Sequence, residues 1–467
     1  MEKKQSEKKA EKIKKVKKED SEKVREIKFI ILAIVCLILF SASLAPVTLQ
    51  NDTYYTIKIG ELISKTKTID MQEHFSWHEG LPYTYPHWLY DLMIYIFYSI
   101  AGFKGIFIST VVFACILGVV LSITNSKISK NTLISFLISL GTIYLLKDYI
   151  AARAQLVTFI LFELEILCME NFLEKKQKRY AFGILAIGVL IANVHAAVWP
   201  FTYVIFLPYL GEYILNLDYL KAYYWLKRKY YNDSLKKYEK KNNKEKIDEI
   251  NLKINKSKLE EESKLEKQEK RRKNPYKIKM VKNTAVKWLA LIMIIYAFTG
   301  LLTPIGDTPY TWTYRTMKGN TTENINEHLP LTLINEKDVL IVLVFVIAIL
   351  LFTDVKIRLK DLFMLSGLAL LMLMTRRQAS MFFIFGGASL ATLITDLVNK
   401  YDKEGTDEFK KIMTSILGTV ATLLIIALMM FMQIKGKIQN KFVSESLYPV
   451  DAAEYIKENL DLKLNAT

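Results

Sequence analysis

The sequence predicts an all-α, polytopic transmembrane protein, and three observations carry that class. Of 467 residues, 51% are hydrophobic and 24% charged, and the two kinds lie in separate blocks instead of interleaving as a water-facing surface requires. Uncharged apolar runs recur along the chain, each near the length of about 20 residues that a helix needs to cross a bilayer. Their length and lack of alternation exclude an outer-membrane barrel, whose strands run to about ten residues with every second one apolar. The formal charge of +17 sits largely in two Lys-rich blocks beside apolar runs. There it sets orientation and attracts the anionic heads of a lipid bilayer, so nucleic acid is not an expected partner. Cys36, Cys115 and Cys168 lie inside apolar runs without metal-ligand spacing; they read as small core residues with no disulfide framework.

Residues 1–27, dense in Lys and Glu without apolar periodicity, read as a solvated cytoplasmic tail. The apolar run that follows, 28–48, is too long for a signal h-region and is a retained first span. Cations ahead of it hold the N-terminus in the cytoplasm, which places a first outer loop, 49–104, outside. The segment 88–101 decides every later side. It is short and carries Asp91. If it crossed the membrane, the basic 218–285 block would be external. If it lies in the interface, Lys127/Lys130, Lys175 to Arg179, the 218–285 block, Lys356 to Lys360 and Lys400 to Lys411 all fall inside. The positive-inside bias selects the second reading.

Full spans are then about 28–48, 105–123, 132–147, 156–173, 180–196, 199–217, 286–303, 338–353, 361–375, 379–397 and 412–433, about eleven in all. The chain divides into an N-terminal transmembrane module (28–217), a cytoplasmic charged helical insertion (218–285), a C-terminal transmembrane module (286–433) and an extracytoplasmic tail (434–467). In the insertion Ile247, Ile250 and Ile254 give a weak apolar seam, as in a solvated helical hairpin against anionic lipid. In this topology all five His (His74, His78, His87, His195, His328) reach the outer side or outer span ends, as do Arg153, Arg315, Arg376 and Arg377.

The outer residues suggest chemistry. Asp52, just beyond the first span, is placed to act as general base on an acceptor hydroxyl or as a metal ligand; an Asp at a span end also serves simply as a helix-boundary residue. Asp70, His74 and His78 are sugar or acceptor candidates, or loop-structuring groups. His74 and His78 share a helical face, but the stretch between them lacks the Glu of HExxH, so a zinc protease is excluded. The loop KDYIAARAQ brings Lys147, Asp148, Arg153 and Gln155 together, and an Arg fork suits phosphate. Arg376 and Arg377 interrupt an apolar stretch, which marks either a lipid-phosphate site or a turn between spans. Trp77, His87, Asn193 and His195, with the aromatic and acidic 304–337 loop, suit a sugar, which presents both C–H faces and hydroxyls; an interfacial aromatic belt has the same composition. Glu163 and Glu165, two apart, cannot share one helix face, so at least one needs a separate partner.

With these residues assembled, the chain resembles the GT-C superfamily of polytopic glycosyltransferases, which includes protein mannosyltransferases and lipid A aminoarabinose transferases. The resemblance is carried by Asn51-Asp52-Thr53-Tyr54-Tyr55, Gly60-Glu61, Asp70, Phe75-Ser76-Trp77, Tyr85-Pro86-His87-Trp88-Leu89, Arg153-Ala154-Gln155, Asn193-Val194-His195, Thr303-Pro304-Ile305-Gly306 and Arg376-Arg377. It covers roughly residues 28–460, through short and degenerate motifs. It implies a bacterial plasma-membrane enzyme, N-terminus cytoplasmic and C-terminus extracytoplasmic. Such an enzyme moves a hexosyl or pentosyl group from a polyprenyl-phosphate donor to a glycan, lipid or protein acceptor outside the cytoplasm. Asp52 then maps onto the catalytic carboxylate of the first outer loop and Asp148 onto an assisting acid, with Arg153, Arg376 and Arg377 on the donor phosphate. Asn51 stands where the family often has a second acid, which leaves a divalent cation open. Related chains continue into an extracytoplasmic domain, and here YPVDAAEYIKENLDLKLNAT opens only what reads as its first helix. The rival expectations are a non-catalytic or degenerate polytopic protein and a lipid or polysaccharide transporter; the second predicts internal repeats, and none is seen.

Overall fold

The computed structural model describes residues 2–459, apart from positions 77, 79, 274–276, 319–324 and 334–335. Helix supplies nearly all of its regular structure: α1 (Glu2–Leu44), α2 (Asn51–Thr66), α3 (Trp88–Ser129), α4 (Thr132–Leu145), α5 (Ala154–Lys175), α6 (Lys178–Val194), α7 (Phe201–Leu215), α8 (Tyr219–Glu239), α9 (Lys244–Lys273), α10 (Val286–Tyr296), α11 (Thr308–Lys318), α12 (Lys337–Phe352), α13 (Leu359–Met374), α14 (Ala379–Tyr401), α15 (Gly405–Met413), α16 (Ile416–Ile434) and α17 (Val450–Asn459). Two dipeptide strands, β1 (Ile278–Lys279) and β2 (Ile357–Arg358), pair in parallel. Each apolar stretch read from the sequence falls on a helix. Ser21–Leu44, Trp88–Ser129, Ala196–Leu215, Arg376–Tyr401 and Ile416–Lys437 are long and apolar enough to cross a bilayer, while Thr132–Leu145 and Val286–Leu301 are apolar but shorter.

Two elements differ from expectation. The Lys/Glu-rich tail is helical from Glu2 and runs unbroken into the first apolar stretch. Lys and Glu are good helix formers, and spacings such as Glu11/Lys15 and Glu19/Lys23 favour a helix, so position 28 marks a change of composition, not of structure. The expected outer loop also begins with a helix, α2, seated on α3 at Gly60. A Cβ there would lie 2.2 Å from the Asp91 carbonyl oxygen and 2.6 Å from Tyr95 Cβ, so only glycine permits the approach.

The helix α3 is bent back on itself. Ala101 and Gly102 leave helical geometry, Gly102 at φ 59°, ψ −146°, a region that essentially only glycine occupies. In a straight helix Phe97 and Phe113 would stand about 24 Å apart; their rings meet at 6.3 Å. The first arm starts at His87, against His195, and ends where Phe103 meets Tyr54 and Phe107 meets Phe442. Both ends of this arm therefore lie at the same end of the bundle. It crosses that end instead of traversing the bundle.

The bundle has two chemically distinct ends. At one, Glu26 holds Thr132 and Lys410 at 2.6 and 2.9 Å, Lys360 meets Glu170 at 2.8 Å, and Arg358 grips Glu212 at 2.8 Å. The α8–α9 hairpin springs from this end, tied by Lys282 to Asp218 at 2.9 Å. At the other end Lys437 caps α1, meeting the carbonyls of Ser43, Leu44 and the following Ala45 at 3.0, 2.7 and 3.3 Å. The helix α5 runs between the ends and is about 33 Å long, roughly the thickness of a bilayer's hydrocarbon core. Along it both acids are buried: Glu165 accepts from Thr202 at 2.9 Å, while Thr124 of α3 donates to the Glu163 backbone carbonyl at 3.4 Å and the Glu163 carboxylate has no hydrogen-bond partner among the described residues.

Candidate functional site

At the end away from the hairpin, helix termini converge on a polar cleft. Three helix starts border it (α2 at Asn51, α5 at Ala154, α14 at Ala379). Each directs backbone N–H groups and the positive end of a helix dipole toward the space, which favours an anion.

The larger chamber, about 860 Å³, is lined by Asp52, Tyr55, Tyr83, His87, Arg153, Gln155, His195, Glu327, His328 and Arg377 among others. A second, of about 430 Å³, is lined by Lys147, Asp148, Arg376, Glu336 and Asp338. Arg153, Gln155, Glu327 and Arg377 line both, so the chambers share a wall of two guanidiniums. Arg153 Nη2 stands 2.6 Å from Asp52 Oδ2, and its Nη1 stands 3.4 Å from Glu327. Arg153 Nε and Arg376 Nε are buried and donate to no partner among the described residues.

Each side chain is placed by its backbone. Asp52, Tyr55 and Thr56 follow a helical i, i+3, i+4 spacing in α2 and all line the larger chamber. Arg153 immediately precedes α5, and Thr53 Oγ1 donates to Ala152 O at 3.4 Å, joining the two segments. Arg376 and Arg377 occupy the turn between α13 and α14, where Arg376 N donates to Leu329 O at 3.0 Å and Tyr149 OH to Arg376 O at 3.1 Å. The pair thus forms a turn between two helices, and it also lines the cleft. His87 Nδ1 is 2.7 Å from Asp91 Oδ1, a fully buried carboxylate. Burial opposes a charge on His87 and Arg377 adds to that, but Asp91, with Asp52 beyond it, outweighs them and holds the imidazole pKa above its ordinary value. His195, 6.4 Å from His87 between ring centres, meets Thr158 Oγ1 through its Nδ1 at 3.1 Å. Ala196 N donates to Pro86 O at 2.8 Å and keeps the two His-bearing segments side by side.

The remaining candidates lie elsewhere. Asp70 and His74 pair at 2.6 Å in a small hairpin, and Tyr85 OH donates to Asp70 at 3.3 Å. Burial raises the Asp70 carboxyl pKa, but the hydrogen bonds from His74 and Gln72 outweigh it and leave it below its usual value. His78 belongs to the same hairpin, with Nδ1 3.4 Å from Ser76 Oγ. Neither chamber is lined by these three residues. Asn193 is occupied structurally: its Oδ1 accepts from Trp88 at 3.1 Å and its Nδ2 donates to Leu302 O at 2.9 Å. Trp77, with Glu79 and Glu323, lies outside the described residues. Gln155, read beside Arg153, and Glu327, His328 and Glu336, from the loop read as suiting a sugar, line the cleft, and Tyr55, Tyr83 and Asp338 join it without having been singled out as site residues. For Tyr55 a helical count from Asp52 is the signal that finds it. Among the described residues no three His, Cys, Asp or Glu side chains gather as metal ligands would.

A third, apolar chamber adjoins the second, sharing Leu145 and Phe383 with it. Leu137, Ile138, Val346 and Phe382 help to line it, and it holds about 170 Å³ between α4, α12 and α14. Compared with known proteins, the chain matches no family model and no curated protein sequence.

Proposed function

We propose that this protein is a polytopic plasma-membrane glycosyltransferase that moves a sugar from a polyprenyl-phosphate donor to an extracytoplasmic acceptor. The observation that carries the reading is a continuity of three environments: an apolar groove, a wall of Arg153, Arg376 and Arg377, and a roomy polar chamber holding Asp52. A lipid-linked sugar phosphate has the same three parts in the same order. The exposed apolar surface of the long helices supports a bilayer setting; α16, for example, shows Leu424, Leu428 and Met432 to the outside. The separation of cleft and basic hairpin supports an outward-facing cleft.

The donor's tail occupies the groove beside Leu145, and its phosphate meets the Arg153 and Arg377 guanidiniums, whose planar forks each offer paired donors. Arg153 then exchanges Asp52 for phosphate oxygen, which frees the carboxylate. An acceptor hydroxyl gives its proton to Asp52 and its oxygen attacks the anomeric carbon. The bond from that carbon to the phosphate oxygen breaks with inversion, and polyprenyl phosphate leaves. Preorganised cations at the leaving oxygen are worth about 3–4 kcal/mol in such sites.

The test is transfer of radiolabelled sugar from a polyprenyl-phosphate donor in membranes bearing Asp52→Asn. Turnover is expected to fall at least about a hundredfold, with the donor still bound. Undiminished transfer removes Asp52 from the role. Donor binding without turnover in the unaltered protein turns the reading into that of a lipid-binding, non-catalytic relative.

A further inference from the structure

We infer that the α8–α9 hairpin is a lipid-docking arm, seated through one face of α8 on an anionic bilayer surface; this rests on the membrane setting proposed above. Tyr219, Tyr223, Leu226 and Tyr230 follow i, i+4, i+7 and i+11, which puts them within an arc of about 60°. All are more than half exposed, at 54, 58, 59 and 70%. The other face of α8 is already used. Tyr224 is buried, as is Ile250 of α9; Lys227 pairs with Glu260 at 3.4 Å and Arg228 with Glu261. The aromatic stripe therefore points away from its partner helix.

Two observations identify the occupant as lipid. The first is charge: residues 218–285 hold 22 Lys and Arg against 11 Asp and Glu. Lys229, set over the Trp225 ring at 5.4 Å, and the exposed Lys236 and Lys237 lie beside or beyond the stripe. The second is position. α8 starts at Tyr219, directly after the candidate span that ends at Leu215, so the stripe begins at headgroup depth. Tyr and Trp settle where an apolar ring and a polar tip are both satisfied, and each Lys near an anionic leaflet adds about 1 kcal/mol. A basic, aromatic helix emerging from a span meets both conditions on the bilayer surface.

The test uses the full chain in nanodiscs of phosphatidylcholine, with or without phosphatidylglycerol, in a background lacking Cys36, Cys115 and Cys168. An environment-sensitive fluorophore at Ala222→Cys, an exposed site beside the stripe, reports seating. With phosphatidylglycerol its emission shifts to the blue and iodide quenching falls. High salt, or Lys229, Lys236 and Lys237 changed to Gln, reverses this by about fivefold per charge. Serine at all four stripe positions abolishes it. A second probe at Leu424→Cys, on exposed α16, reads the acyl region in both discs and so tests the membrane setting separately. If Leu424 reports lipid while Ala222 stays water-exposed with phosphatidylglycerol present, the docking arm is refuted, and the stripe is left to a protein partner.

Discussion

The pairing of His87 with Asp91 sets the chemistry of the cleft's inner wall. Asp91 is fully buried, and His87 Nδ1 at 2.7 Å is its cation. His87→Ala strands that carboxylate, with an expected loss of about 3–5 kcal/mol of stability. Asp91→Asn removes the charge and costs less. The groups facing His87 are Asp91, Asp52, Arg377 and His195, and their balance holds its pKa above the ordinary value. The sign of the pH effect follows from that direction. Below the ordinary imidazole value of about 6.5, His87 is charged in folded and unfolded chains alike, and the whole contribution is present. As pH rises through the elevated folded value, the proton is lost and the contribution goes with it. Denaturation in detergent followed across this range, with ¹³C-His spectra giving the midpoint, checks it. In Asp91→Asn the midpoint drops and the slope disappears; an unchanged midpoint would refute the pairing as its cause.

The seat of α2 on α3 is the corresponding feature among elements, because α2 carries Asp52. Gly60→Ala puts a methyl 2.2 Å from a backbone oxygen, and neither backbone can give cheaply. The expected cost is about 1–3 kcal/mol, and a shift of Asp52 by about an ångström can lower transfer on the order of a hundredfold. Gly141→Ala in α4 is the control, since a Cβ there meets nothing within 4 Å. Thermal melts and transfer rates of the two variants decide it: equal behaviour refutes the close-seat argument. The same element shows where the sequence was hard to read. The stretch NDTYYTIKIGELISKT is polar enough to pass for a loop, and its helix is secured by packing on the first arm of α3, which a one-dimensional pattern does not contain. Apolar run length was legible because a long uncharged run has few alternatives to helix. The convergence of Arg153, Arg376 and Arg377 was legible as an unusual placement of cations. Of the two readings open for Asp70, His74 and His78, the loop-structuring one describes what is seen, since His74 pairs with Asp70 within the hairpin itself.

The whole molecule is organised by the opposition of its ends, and sidedness is what a membrane adds to that geometry. The cleft borders the start of α5, and the hairpin is tied near its finish, where Asn283 reaches Leu173 O at 3.5 Å. One helix length, about 33 Å, separates them. That length matches a bilayer's hydrocarbon core, and the topology proposed above puts the hairpin's excess cations on the cytoplasmic face and the cleft outside. The fold-back at Gly102 is essential to this arrangement. Had α3 run straight across as 42 residues, the parity of the chain would change and the hairpin could not share an end with Lys127 and Lys410. Cysteine labelling in intact cells tests the parity directly, in a background without native cysteines. Leu81→Cys, exposed in the hairpin that holds Asp70 and His74, should react with an impermeant maleimide at once. Lys256→Cys, exposed on α9, should react only after the membrane is opened. Labelling of both without permeabilisation would place cleft and hairpin on one side, and a chain so arranged could not hold a bilayer between its two ends.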